Sequence, residues 1–388
     1  MPPVGRALSN MILALLPGFL ALLSLALTVW QWRAAARFPL HKRIGHPAFS
    51  PAVTIFKPLK GCEPDTAACL RSWVAQDYGG QVQILFGVAD PDDPVCRVVN
   101  ELIAASNRGN AELVICDRNL GANRKVSTLV QLQARAKHPI WVVSDADVRA
   151  PADLLASLVA PLREGTVGLV NCLYSLANPA TLPMRWEAVA INADFWSQVL
   201  QARSLKAMDF ALGAVMAFPR GEIQSLGGFE ALVDFLADDY QLGNRIHRAG
   251  RRLELCPVVA ECWSAPMSFR EVWAHQLRWA RTIRCCRPAQ YFFSILSNAT
   301  LWPLLWLAIE PSKKVLLVCL ICWVVRMGTA LAHQKSLTRS RAPFFYDWLV
   351  LAKDLLQVAI WFASWFGNQI VWRGQRYQVV RGGKLQPC

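Results

Sequence analysis

Apolar residues follow different rhythms in different parts of this chain. Residues 11–32 form a run of about 22 positions without a charged side chain. At 1.5 Å per residue such a helix covers a hydrocarbon core of about 30 Å, so a membrane span is predicted. A cleaved signal peptide would need a shorter apolar stretch behind a basic start. Here only Arg6 precedes the run, whereas Arg33, Arg37, Lys42 and Arg43 follow it, which places residue 33 onward in the cytoplasm. Three further apolar segments occupy 292–309, 315–332 and 344–372. The first two predict a hairpin through Glu310-Pro311-Ser312-Lys313-Lys314, and Lys335, Arg339 and Arg341 favour a return to the cytoplasm. The third carries Asp347, Lys353 and Asp354, charges that lipid tolerates when they are paired or face a polar cavity. As neighbours, Lys353 and Asp354 are not expected to share a helix face. Spanning, re-entrant and interfacial placements stay open, and with them the side of the basic tail 372–377.

Between residues 51 and 284 the pattern changes to short apolar runs broken by Pro, Gly and Asp and alternating with helical periodicity. Val53-Thr54-Ile55-Phe56, residues 83–88, Leu113-Val114-Ile115-Cys116 and Trp141-Val142-Val143 predict parallel strands buried on both faces. The fold class is therefore α/β, a Rossmann-like domain with a mostly parallel sheet between N-terminal and C-terminal transmembrane helices. The expected boundaries are 1–45 for the anchor and basic linker, 46–288 for a cytoplasmic domain and 289–388 for membrane helices and tail. Residues 195–218 mix Phe, Trp, Leu and Met with Arg203 and Lys206, suiting either an interfacial surface or a buried helix and strand.

Composition narrows the class. The chain has 388 residues, 54% of them apolar, and a formal net charge of +14. No zinc-finger spacing, RNP-like motif or basic zipper accompanies the basic excess, so lipid headgroups and a diphosphate are better partners than nucleic acid. Twelve cysteines fall largely in apolar runs, which favours reduced thiols over a disulfide framework. No G-x-G-x-x-G follows the first strand and no P-loop is present, which excludes the common dinucleotide and NTP-hydrolysing sites.

Four clusters carry candidate chemistry. Asp90 ends a predicted strand, where open sheets bind ligands, and can accept the imide N–H of a uracil; Asp92 and Asp93 suit a helix start equally well. Asp145-Ala146-Asp147 offers two carboxylates to one hard cation, Mg2+ or Mn2+, although strands often end in Asp. Lys125, in Gly121-Ala122-Asn123-Arg124-Lys125, is a point charge for a phosphate or a solvated helix start. Asp238-Asp239 opens a helix: the helix dipole accounts for one carboxylate, and the second is a candidate base if burial or like charge raises its pKa. On a helix within 263–287, His275, Arg278, Trp279 and Thr282 share a face, with Arg281 and Arg284 as an adjoining cationic ridge. A juxtamembrane helix hugging anionic lipid has the same pattern.

Together with Lys57-Pro58-Leu59-Lys60-Gly61-Cys62-Glu63-Pro64, Gln76-Asp77-Tyr78 and Gly227-Gly228-Phe229, this order of motifs resembles the ceramide glucosyltransferase family, inverting enzymes of the GT-A group, over roughly residues 10 to 380. The resemblance implies a UDP-sugar donor, UDP-glucose foremost, a divalent metal and a lipid acceptor, ceramide foremost, with a β-glycosyl lipid as product. It implies donor binding by Pro58, Lys60, Asp90, Asn123, Lys125, Asp145 and Arg281, a metal on Asp145 and Asp147, and catalysis by Asp239 with Arg278 and Trp279. One departure stands out, since His275 occupies the position of Gln in the broader family's Q-x-x-R-W. Bacterial transferases that place N-acetylglucosamine on hopanoid lipids share these motifs. A processive polysaccharide synthase and an inactive nucleotide-sugar-binding scaffold are the other readings.

Overall fold

The computed structural model describes residues 4–106, 109–339, 348–372 and 374–387. Arg341, Asp347 and the start of the third C-terminal segment at 344 lie outside the described residues. The chain divides into two compact units, one of residues 39–179, 205–267 and 372–388, the other of residues 1–38, 180–204 and 268–371.

The first unit is built on an eight-stranded sheet. Its strands are β1 (Val53–Leu59), β2 (Val82–Val88), β3 (Ala111–Ile115), β4 (Ile140–Ser144), β5 (Val148–Arg149), β6 (Val167–Leu176), β7 (Val215–Pro219) and β8 (Arg252–Cys262). In the order β3-β2-β1-β4-β7-β6-β8-β5, the first four are parallel, and so is the pair β6 and β8; β7 runs antiparallel to β4 and β6, and β5 to β8. The four strands expected from apolar runs are β1 to β4. Their buried faces include Val53, Ile55, Ile84, Phe86 and Val142, joined by Leu70 and Trp73 from the helix Thr66–Val74. Because β1, β2 and β4 are parallel and in register, their carboxyl ends form one edge. The tail is hydrogen-bonded into this unit: Leu236 N–H donates to Gly383 O (2.9 Å), Leu385 N–H to Asp234 O (2.7 Å) and Gln241 Nε2–H to Gly382 O (2.6 Å). The tail therefore belongs to the α/β unit.

The second unit is helical. Among the described residues, Leu15–Ala36 and Lys313–Thr338 are long and apolar enough to cross a membrane. The expected span at 292–309 is not one straight helix. It is a pair, Pro288–Ser297 and Leu301–Ile309, bent by 58°. Asn298 explains the break, since its Oδ1 accepts the N–H of Thr300 and of Leu301 and so starts a new helix. The helix Val4–Ala36 approaches Leu301–Ile309 at Gly18, where a Cβ would lie 3.0 Å from the Trp306 ring, a small residue at a helix crossing. Within the third segment the helix is Leu349–Ser364, about 24 Å long and short for a straight crossing.

Lys353 and Asp354, expected to diverge, meet at 2.7 Å. Both turn inward to a buried group: Arg326 grips Asp354 through two bonds of 2.8 and 2.9 Å and Asp194 at 2.9 Å, while Lys353 also pairs with Asp194 and Thr300 Oγ1 donates to Asp354 (2.6 Å). The long lysine stem bridges the roughly 100° between adjacent helix positions. Two cations and two anions cancel, as apolar surroundings require. Asp194 reaches them from a π-helical turn, Ala190–Phe195, within the helix that continues as Trp196–Leu205. Residues 195–218 are thus not one interfacial surface. Their helix belongs to this unit with Trp196 buried, and β7 lies inside the sheet of the other.

Candidate functional site

At the carboxyl edge of the sheet, Lys57 is the first anomaly: an ammonium with no exposed surface in the middle of an apolar strand. It donates to Ser144 Oγ (3.2 Å) and to the Asp145 carbonyl, and lies 5.1 Å from the Trp73 ring. Burial lowers its pKa to about 8, against the charges of Asp147 and Asp145. Lys57 thereby ties β1 to the turn that follows β4. That turn is Asp145-Ala146-Asp147, and it is pinned from other directions as well. Asp145 N–H donates to Ala214 O (3.2 Å), and Asp147 O accepts from Trp263 N–H (3.0 Å).

Lys125 joins this turn to the second acidic pair. The helix Arg124–Gln133 starts at Asn123, whose Oδ1 caps Val126 N–H (3.1 Å) while its Nδ2 donates to Phe235 O (2.7 Å). Asn123 is fully buried and both ends of its amide are engaged, so it sets where the next turn points. Lys125 Nζ then lies 2.7 Å from Asp145 Oδ1 and 3.3 Å from Asp238 Oδ2. Burial opposes its charge, but the two aspartates outweigh that and raise its pKa well above the ordinary lysine value.

Asp238 and Asp239 form the first turn of the helix Asp238–Arg248. Among the described residues no ion pair reaches Asp239. Its Oδ1 accepts from Tyr240 N–H (2.7 Å), and Gly213 passes so close that a Cβ there would sit 2.8 Å from Oδ2. Burial first, then the charge of Asp238, pushes the Asp239 carboxyl up to about 7. Asp147 keeps solvent access, yet the protein around it and the charge of Asp145 push it up to about 6. The unit thus gathers two lysines and four aspartates, the carboxylates in formal excess by two.

The other expected donor-binding residues of this unit stand at or near the same edge. Asp90 is exposed just beyond β2, its Oδ1 accepting from Asp92 N–H (3.0 Å). Asp93 Oδ2 accepts from Gly61 N–H (2.8 Å) and joins the loops after β1 and β2. Pro58 is buried opposite Gly87, and Lys60 is exposed immediately past β1.

The remaining candidates belong to the helical unit, on the helix Phe269–Cys286, which opens with a capping box between Ser268 and Glu271. His275 and Trp279 meet edge to face with ring centres 4.9 Å apart, and Trp279 lies 5.9 Å from Phe195. Arg278 is half-buried on the same helix. Thr282 Oγ1 folds back on Arg278 O (2.7 Å). Arg281 donates to the carbonyls of Phe366 (3.0 Å) and Gln369, and Arg284 to Asn368 Oδ1, so this ridge clasps the turn after Leu349–Ser364. Three participants were not foreseen from sequence: Lys57, Gly213 and Glu187, the buried partner of His275. For Lys57 a signal existed, a charge inside a strand apolar on both faces.

The sequence matches glycosyl transferase family 21 over residues 16–385. A ceramide glucosyltransferase of Candida albicans is 35% identical over 121 residues, 28% of this chain and 22% of that protein. Ceramide glucosyltransferase 1 of Caenorhabditis elegans is 19% identical over 367 residues, 90% of this chain and 76% of the relative. An N-acetylglucosaminyltransferase of Bradyrhizobium diazoefficiens is 26% identical over 250 residues, 60% of this chain and 49% of the relative. Among solved structures, a mannosyltransferase from Pyrobaculum calidifontis in complex with GDP-Man and Mn2+ superimposes with a TM-score of 0.53 at 20% identity, covering 89% of this chain and 99% of that one. The sheet and its helices thus have the GT-A arrangement. With a family match that takes in nearly its whole length, the chain belongs to glycosyl transferase family 21.

Proposed function

We propose that this glycosyltransferase moves one hexose from a UDP-sugar, most readily UDP-glucose, to a hydroxyl of a membrane lipid, most readily ceramide. The carrying observation is Asp239, a half-buried carboxyl with no ion pair among the described residues and a pKa of about 7, beside two aspartates held by Lys125. Such a group takes a proton near neutral pH, which a base for an acceptor hydroxyl must do. The hydroxyl oxygen attacks the anomeric carbon, its proton passes to Asp239, and UDP leaves with the bonding pair. One in-line displacement inverts the centre and gives a β-glycoside.

Asp145 and Asp147 fit a divalent ion. The charge of one raises the pKa of the other, and a cation would relieve that repulsion. No group of three acidic, histidine or cysteine side chains is gathered for a metal among the described residues. Mg2+ and Mn2+ take one or two carboxylates together with substrate phosphates, and Asp145 with Asp147 would supply them. Such an ion would offset charge on the diphosphate. In this reading Asp90 meets the nucleoside, Pro58 and Lys60 border it, Asn123 sets the turn carrying Lys125, Lys125 and Arg281 serve the phosphate side, and Arg278 with Trp279 serves the leaving group and acceptor. The catalytic region, 46–288, faces the cytoplasm behind Arg33, Arg37, Lys42 and Arg43. The tail, hydrogen-bonded to the α/β unit, lies on the same side in this reading, and the bent helix pair with Lys313–Thr338 supplies two crossings before it.

Membranes containing the protein, given labelled UDP-glucose, a divalent metal and ceramide, should form a single β-glucosyl lipid, abolished by EDTA. UDP-N-acetylglucosamine in a parallel arm tests the second donor, which the Bradyrhizobium relative's name favours. A ladder of polymer lengths, or no UDP release with any lipid extract, would reject the assignment.

A further inference from the structure

The position that departs from the Q-x-x-R-W pattern is supported by its own buried carboxylate. Glu187, on the helix Leu182–Val189, has a side chain only 1% exposed. Its Oε1 lies 2.6 Å from His275 Nδ1 and accepts a second bond from Gln276 Nε2–H (2.9 Å). Its Oε2 has no partner among the described residues, so the buried charge depends on those two bonds. A bare Nδ1 lone pair facing a carboxylate oxygen at that distance would be repelled, so Nδ1 bears the proton. In the neutral ring the lone pair is then on Nε2.

Nε2 has no hydrogen-bond partner among the described residues and is not among the buried orphan atoms, so it opens to solvent, in keeping with a side chain 28% exposed. The ring is braced on one side by Trp279, which rests in turn against Phe195. A hydrogen-bond acceptor of fixed tautomer beside an aromatic wall, in the unit that carries the membrane-grade helices, matches a molecule with a polar head joined to an apolar body.

We propose that His275 Nε2 accepts a hydrogen bond from an O–H or N–H in the head region of the acceptor lipid, and that Glu187 is the positioning residue that holds the ring through Nδ1 and so aims Nε2. This deepens the reading of the chain as a lipid glycosyltransferase and rests on it. A role confined to packing two helices would lower stability and affect donor and acceptor kinetics alike.

The test is steady-state kinetics of the full chain in mixed micelles, with UDP-glucose and a short-chain ceramide varied in turn. His275→Phe, which keeps a ring against Trp279, and His275→Ala should each raise the acceptor KM about tenfold while the donor KM stays within twofold. His275→Gln, whose amide oxygen can accept the same bond, should recover most of that loss. Glu187→Gln should fall between wild type and Glu187→Ala. An unchanged acceptor KM in either loss variant that still binds UDP, or acceptor and donor KM rising together, overturns the proposal. If Phe and Ala both fail to bind UDP, the Gln variant decides: an acceptor KM that rises no more than the donor KM overturns the proposal, and a partial rise confined to the acceptor KM supports it. Wild-type protein making no glycolipid would instead overturn the functional reading beneath it.

Discussion

Replacing Asp239 by Asn should abolish transfer and make the folded protein more stable at pH 8. With a pKa of about 7, about one-tenth of Asp239 is ionised at pH 6 and about nine-tenths at pH 8. If it is the base, transfer at saturating donor should rise roughly tenfold across that interval. Asn cannot take the proton, and the loss of a positioned base costs on the order of 10²- to 10⁴-fold. Stability moves the other way. The folded pKa lies above the ordinary value of 3.8, so the folded state holds the proton more tightly than the unfolded chain. The favourable contribution is complete below about pH 4 and lost as pH climbs through 7. At about 1.36 kcal/mol per unit the ceiling is roughly 4 kcal/mol, and partial solvent access reduces it to about 1 to 3 kcal/mol. Asn escapes that cost and can keep the bond from Tyr240 N–H. Thermal unfolding in detergent should therefore show Asp239→Asn several degrees more stable than wild type at pH 8 and equal to it near pH 4. A wild-type rate flat between pH 6 and 8, or an Asn variant less stable at pH 8, would refute the reasoning.

Asp145→Ala should remove the metal dependence of UDP binding, checked by titrating UDP with and without Mn2+; affinity unchanged in both arms would mean the clamp lies elsewhere. Gly213→Ala introduces a methyl 2.8 Å from Asp239 Oδ2, so kcat should fall at least tenfold with UDP affinity retained, since the displaced group is the proposed base rather than the proposed donor cradle. Arg326→Met leaves Asp194 and Asp354 with Lys353 as their one cation among the described residues; unfolding in detergent should register a loss of about 3–5 kcal/mol, and restoring neutrality with Arg326→Met/Asp354→Asn should recover part of it. Deleting residues 375–388 removes the bonds to Asp234, Leu236 and Gln241 that brace the loop before Asp239 and the helix it opens, and should lower kcat at least as much as it raises the donor KM.

What was legible in the sequence was whatever a local rule decides. Strands β1, β2 and β4 announce themselves as apolar runs because both their faces are covered, whereas β3, expected to be the same, is a half-buried edge strand; the aspartates after β2 and β4 fall where open sheets meet ligands. The mixed half of the sheet was harder. In β6 and β8, Asn171 and Glu254 interrupt the runs, and Asn171 is accommodated by long-range bonds to Leu212 N–H and Glu254 O. The bend at Asn298 was hidden because the apolar count continues through it, whereas the break depends on an amide that caps a new helix and also reaches Asp354 O.

Charge placement shows most clearly where local reading stops. Lys353, Asp354 and Arg326 look prohibitive in apolar segments when taken singly, and adjacency argues against the first two meeting. Their partner, Asp194, comes from 132 positions before Arg326, on a π-helical turn with no sequence signature of its own. Lys57 follows the same logic in the other unit. Its ammonium is tolerated in a strand interior because Ser144 Oγ and the Asp145 carbonyl, 87 and 88 positions later, accept its protons. A buried cation in this chain therefore marks a junction between distant segments. Lys57 fixes the turn that bears Asp145 and Asp147, and Arg326 fixes the π turn adjoining the helix that carries Glu187. Neither cation needs to touch a substrate for its loss to reach the chemistry: neutralising either one frees the backbone on which an acidic residue of the proposed site is mounted.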